Sequence, residues 1–146
     1  MGLCVVMFFA FKLNVRYNEL LVCMKRGASM QIEKFYEQSG GDYQGVLSRL
    51  MTPERVTKYV LKFADATDYN DLEKAIEEKD YEGAFRYSHN LKGVSLNLSF
   101  TRLQNSASEL CEVFRSGEPA CDYSQLWEKV KEDYKLIIDS INANNN

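Results

Sequence analysis

The sequence predicts an all-α protein, an up-down bundle of helices. Three observations carry that expectation. Proline occurs only twice, at Pro53 and Pro119, and glycine eight times in 146 residues, so long stretches run without a breaker. Apolar residues recur at helical spacing, and no segment alternates apolar and polar over the length of a strand. Capping residues stand immediately before the apolar rows. Hydrophobic residues make up 45% and charged residues 27%, an ordinary balance for a folded chain and one that excludes a disordered polypeptide. The length is that of one domain, or of one domain with an appendage.

The first thirty residues differ in character from the rest. Leu3–Phe11 is an unbroken apolar run, too short to span a bilayer and with no basic segment before it, so it is a poor signal peptide and no transmembrane segment is expected. Residues 1–29 are therefore an N-terminal extension with three readings: an accessory element packed on the domain, a membrane-surface anchor, or an artefact of start-site assignment. The last is favoured, because Met30 opens an ordinary helix. The domain proper is expected over residues 30–142, followed by a frayed tail over 143–146.

Within the domain, Met30 to Gln38 carries Ile32, Phe35 and Tyr36 on one face, and Gly40-Gly41 ends it. Asp42 caps a short second helix bearing Val46, Leu47 and Leu50. Thr52-Pro53 is a cap followed by proline in the first turn, and Val56, Tyr59, Val60 and Phe63 follow as its row. Asn70 with Glu73 reads as a capping box opening Asp71 to Glu78. Asp80 caps a helix from Tyr81 to about Leu98, and Ser99-Phe100-Thr101 is a tight junction. Leu103, Ala107, Leu110 and Phe114 form the next row, stopped by Gly117 and Pro119. Asp122 with Gln125 caps the last helix, whose row is Leu126, Val130, Tyr134, Ile137 and Ile141. Helices with one apolar stripe each and short connections must pack those stripes together as antiparallel neighbours.

Composition excludes several functions. A net charge of −3 offers no basic field for nucleic acid. A single histidine excludes a multi-His zinc site, so no metal ligands are assigned. Cys4, Cys23, Cys111 and Cys121 form no CxxC pair, and Cys111, inside an apolar row, reads as a packing residue. This cysteine usage fits a reducing cytoplasm.

The informative helix holds the one histidine. With about 100° per residue and His89 at zero, Tyr87, Leu91 and Leu98 fall at roughly 160–200°, with Ala84 and Val94 beside them, and form the expected core stripe. His89 faces away from it. Around His89 stand Phe85, Arg86, Lys92 and Gly93 one turn away and Leu96 two turns on. A lone exposed histidine on a helix is usually only solvated. Here two large apolar residues flank it, Phe85 and Leu96, where charge is expected. Gly93 costs about 1 kcal/mol relative to alanine in mid-helix and lies off the core stripe. Lys92 and Arg86 would draw an anion such as a phosphoryl group to the ring.

Ser88-His89-Asn90-Leu91-Lys92-Gly93-Val94-Ser95 resembles the signature of histidine-containing phosphotransfer (HPt) domains: a histidine, any residue, an aliphatic, then Lys-Gly and small residues. The likeness extends upstream through Asp80-Tyr81-Glu82-Gly83-Ala84-Phe85-Arg86 and downstream through Leu98–Leu103 and Ala107-Ser108-Glu109-Leu110. It implies an HPt-like up-down four-helix bundle with additional N-terminal helices. It implies that His89 is the phosphoacceptor, taking the group from a receiver domain's phospho-aspartate and passing it to another receiver, with Lys92 near the phosphoryl oxygens and Gly93 leaving room for the partner. The partners so implied are response-regulator receivers and a hybrid histidine kinase; the helical wheel adds Phe85, Arg86 and Leu96 as the binding residues, and a monomer is expected. Two departures stand out. The family often has glycine where Ser99 stands, and many members place a glutamine on the next helix where Cys111 and Glu112 occur here.

The chemistry agrees with the residue types. Imidazole, with a reference pKa of about 6.5, is a competent nucleophile near neutrality. Phosphoryl transfer needs in-line geometry and charge neutralisation. The chain has no glycine-rich nucleotide loop and no acidic cluster around His89, so no cofactor is expected in it and Mg²⁺ is expected from the receiver. It reads as a free-standing phosphocarrier, not an enzyme. The alternative is a receiver-binding interaction module without chemistry. A general-base enzyme built on His89 lacks a partnering carboxylate at obvious spacing.

Overall fold

The computed structural model describes residues 30–145. The readings made for residues 1–29 lie outside it. Every regular element among the described residues is helical: α1 Ile32–Ser39, α2 Tyr43–Leu50, α3 Pro53–Ala64, α4 Asp68–Glu77, α5 Tyr81–Asn97, α6 Thr101–Phe114 and α7 Ser124–Asn144. α5 packs between α4 and α6, α6 packs on α7, and α1 and α3 cover the other side of α7. The result is a four-helix bundle, α4 to α7, with three shorter helices laid against it.

The local signals explain most of the boundaries. Gly40 ends α1 in the left-handed region at φ 68°, a conformation that costs a residue with a Cβ. Asp42 accepts from the Gly45 N–H at 2.9 Å, Thr52 from Arg55 N–H at 3.3 Å, and Asp80 from Gly83 N–H at 2.9 Å, each satisfying a free donor of a first turn. The start of α4 differs from expectation. It begins at Asp68, so Asn70 lies inside the helix and caps nothing. Thr67 precedes the first turn and its hydroxyl donates to the Asp71 carboxylate at 2.9 Å.

The C-terminal tail differs as well. Residues 143 and 144, expected to fray, continue α7. Asn144 is buried, its amide donating to Gln38 Oε1 at 2.7 Å and to the Ser140 carbonyl at 2.8 Å, while its own carbonyl accepts from Gln31 N–H at 3.2 Å. These bonds replace water for the end of the helix, which removes the usual reason for fraying.

The expected rows of α1 and α6 are buried throughout: Ile32, Phe35 and Tyr36, and Leu103, Ala107, Leu110 and Phe114. Cys111 is fully buried among them, as a packing residue should be. The α7 row is turned slightly, so that Trp127 is buried and Tyr134 half-buried. Tyr134 stacks on Tyr69 of α4, ring centroids 3.9 Å apart, which joins the two helices across the bundle. Asp133, buried on α7, is met by Arg102 of α6 at 3.0 Å, the partner that a buried carboxylate requires.

Candidate functional site

α5 carries the site, and two features fix it in place. The first is its packing stripe, which is rotated from the expected one. The buried residues are Gly83, Ala84, Ser88, Leu91 and Ser95, with Leu98 just past the end. Tyr87 and Val94, expected in or beside the stripe, are only half-buried. Small residues account for the rotation. Ser88 and Ser95 donate their hydroxyls back to the carbonyls of Ala84 and Leu91, at 2.6 and 2.7 Å, and so need no outside partner. Without long side chains on this line, α5 and α6 pack along their length, and the centre of the buried face moves toward them.

The second feature is the clamp on its C-terminal end. The junction Leu98-Ser99-Phe100 is buried. Tyr36 of α1 donates its hydroxyl to the Leu98 carbonyl at 2.7 Å. Burial pushes the Tyr36 hydroxyl well above the ordinary tyrosine range, so it remains a donor. Arg49 of α2 donates to the Leu96 carbonyl at 3.1 Å and to the Ser99 hydroxyl, and the Asp42 N–H donates to the Ser99 carbonyl at 3.0 Å. A cation on the last carbonyls of a helix also complements the negative end of its dipole. Ser99 sits at φ 55°, in the left-handed region where a glycine would be unstrained. Gly41 is needed for the approach: a Cβ there would lie 2.9 Å from the Ser99 carbonyl oxygen and 2.7 Å from the Tyr36 ring.

On the opposite face His89 is exposed, as the helical wheel requires. Phe85 and His89 are neighbours one turn apart, ring centroids 6.0 Å apart. Leu96 is 50% exposed, one of three large apolar residues at the surface among the described residues, with Met51 and Tyr59. Arg86 is exposed but turned toward Tyr87, whose hydroxyl it meets at 3.3 Å and whose ring it covers at 4.9 Å. It therefore lies beside the His89 face and not on the ring. Lys92 is half-buried on the α6 side. A Cβ built on Gly93 meets nothing within 4 Å, so nothing in the described chain calls for a glycine there.

The structure adds a pair on α6. Arg115 makes two bonds to Glu112, at 2.6 and 2.7 Å, and its guanidinium lies 5.9 Å from the centre of the Phe85 ring. The hydrogen bonds from Arg115, with the charges of Arg115 and Lys92, hold the Glu112 carboxyl below the usual carboxylate range. Glu112 was visible in the sequence as a departure. Arg115 was not, although the i,i+3 spacing to Glu112 is a signal for an ion pair on one helix face. Phe85 is consequently half-buried beneath Arg115, whereas Leu96 is open. Among the described residues no group of three or more His, Cys, Asp or Glu side chains is arranged to hold a metal ion, and no helix is long and apolar enough to cross a membrane.

No curated protein and no solved structure matches the chain. The family model described as the Hpt domain matches residues 65–140, a span that takes in α4, α5, α6 and most of α7 and leaves α1 to α3 outside it. Domains of this family are phosphocarriers that work with receiver domains in phosphorelays, and with the helical bundle, the exposed histidine of α5 and more than half of the sequence in agreement, the chain belongs to the Hpt domain family.

Proposed function

We propose that the protein is a phosphorelay carrier that accepts a phosphoryl group on His89 from the phospho-aspartate of one receiver domain and passes it to the aspartate of another. In the forward step an imidazole nitrogen of His89 attacks the phosphorus in line. The N–P bond forms as the bond to the aspartyl oxygen breaks, and the receiver regains its carboxylate. The reverse of the same step loads the next receiver. The single observation that carries the reading is Gly93: one turn from an exposed histidine, in the middle of a helix, at a position where an added Cβ would meet no atom of the described chain within 4 Å. The glycine has a use only if another molecule approaches His89.

The other residues have roles consistent with this. Lys92 supplies a cation one turn from the ring, where the transferred group carries about two negative charges. Leu96 and Phe85 are apolar anchors for the receiver, and Arg86 adds charge at the rim. The residues one turn from His89 are Phe85, Arg86, Lys92 and Gly93, none of them a carboxylate. The acceptor carboxylate and the Mg²⁺ that neutralises the transition state are accordingly assigned to the receiver.

Incubation with a phosphorylated receiver tests the reading. The expected result is an acid-labile, base-stable label on the protein, absent from His89→Ala. Equal labelling of the variant would overturn the assignment. A chain that binds receivers tightly but takes no label from any of them would be an interaction module.

A further inference from the structure

A cavity of about 420 Å³ lies against the C-terminal end of α5. It is lined by Arg49 and Leu50 of α2, by Tyr59, Lys62 and Phe63 of α3, by Ala66 in the turn that follows, and by Val94, Asn97 and Leu98 at the end of α5. On the α5 wheel Asn97, Val94 and Leu98 stand about 80°, 140° and 180° from His89, so the cavity lies around the helix from the histidine. Its size and its mostly apolar lining with a few polar groups are those of small-molecule sites.

Two further observations describe the occupant. Tyr59 is 46% exposed although it stands on the row that α3 otherwise buries, which leaves a large apolar surface uncovered at the mouth. Both basic residues of the lining lack a carboxylate. Lys62 makes no ion pair among the described residues and its ammonium lies 5.8 Å from the centre of the Tyr59 ring, while Arg49 is engaged by the Leu96 carbonyl and the Ser99 hydroxyl. An apolar hollow whose only charges are positive and unneutralised is complementary to a molecule with an apolar body and an anionic head.

We propose that this cavity binds a small apolar carboxylate, its body against Phe63, Val94, Leu98 and the Tyr59 ring and its head group paired with Lys62. Arg49 contributes positive charge without leaving the carbonyl it caps. The proposal concerns ligand binding alone, which is measured without any phosphoryl transfer. The proposal therefore stands or falls separately from the carrier reading.

The test uses the full chain, titrated calorimetrically with decanoate below its micelle-forming range, with 1-naphthoate as a rigid counterpart and decanol as the uncharged one. Saturable one-to-one binding of at least one carboxylate is expected, with decanol weaker. Lys62→Gln should weaken carboxylate binding about five-fold, the effect of one partly exposed charge. Ala66→Leu, which fills the hollow, should abolish it while circular dichroism and thermal unfolding show the fold retained. Amide shift changes should fall on α2, α3 and the end of α5. No saturable binding of either carboxylate, equal binding of decanol, or binding unchanged in both variants would overturn the proposal. So would shifts at the cavity on adding a receiver but not on adding either carboxylate, since the hollow would then belong to a protein interface.

Discussion

The two ends of the site's chemistry sit on one helix and are built in opposite ways. At the Leu98-Ser99-Phe100 end, α5 is buried and held by three hydrogen-bonding groups from α1, α2 and the turn between them: the Tyr36 hydroxyl, the Arg49 guanidinium and the Asp42 N–H. Around His89 the same helix is exposed, and a Cβ at Gly93 would meet nothing among the described residues. Exposed helix faces are ordinarily free to change, and buried junctions are not. The contrast teaches that reactivity and placement have been separated. One end fixes where the helix lies, and the other leaves the imidazole open to a partner. The groups that do the fixing, Tyr36, Arg49 and Asp42, lie before residue 65, outside the span that matches the family.

The largest effect is expected on the buried face. Leu91, 2% exposed, faces the bundle from the same turn of helix as His89. Leu91→Ala should cost about 2–5 kcal/mol of folding free energy, read by urea or thermal unfolding. A loss below about 1 kcal/mol would show that this face is not core. Next comes the clamp. Tyr36→Phe keeps the ring but removes the hydroxyl from a buried carbonyl, for an expected loss of about 1–3 kcal/mol in the same measurement. Unchanged stability would mean that the α5 end is held by packing alone.

The open face should respond in binding instead. Leu96→Ala should weaken receiver affinity by about 1 kcal/mol or more with little effect on unfolding. Phe85→Ala should weaken affinity similarly but also lose some stability, because its ring is half-buried under Arg115. Equal melting of Leu96→Ala and Leu91→Ala would erase the distinction between the two faces. Lys92→Ala should leave His89 able to take the group and change the rate or the phosphohistidine lifetime several-fold, as a half-buried charge near a phosphate should. The smallest effect in energy is the sharpest test of the open face. Gly93→Gln should stabilise the helix by several tenths of a kcal/mol, since its Cβ meets nothing among the described residues, yet slow transfer from a receiver. Faster or unchanged transfer would leave the glycine without a role.

Much of this was legible in the chain. Periodicity and caps gave every helix of the bundle to within a few residues, because Asp42, Thr52 and Asp80 act within three residues of themselves and depend on nothing distant. The exposure of His89 followed from the helical angle alone. Longer-range packing decides what periodicity misplaces. Side-chain size centres the α5 stripe on Tyr87 and Leu91. Ser88 and Ser95 are in fact buried, their hydroxyls satisfied by their own helix, and this turns the face toward α6.

The sequence by itself determined the helices, their order and the pattern His89, Lys92, Gly93, since all three depend on spacing along one strand of chain. Tertiary structure alone decided the rest. Tyr36 meets Leu98 across 62 residues, Arg49 meets Leu96 across 47, and Asn144 meets Gln38 across 106. No local rule relates residues so far apart, because each of these bonds forms only when separate helices have buried their stripes against one another and brought unsatisfied polar groups within reach.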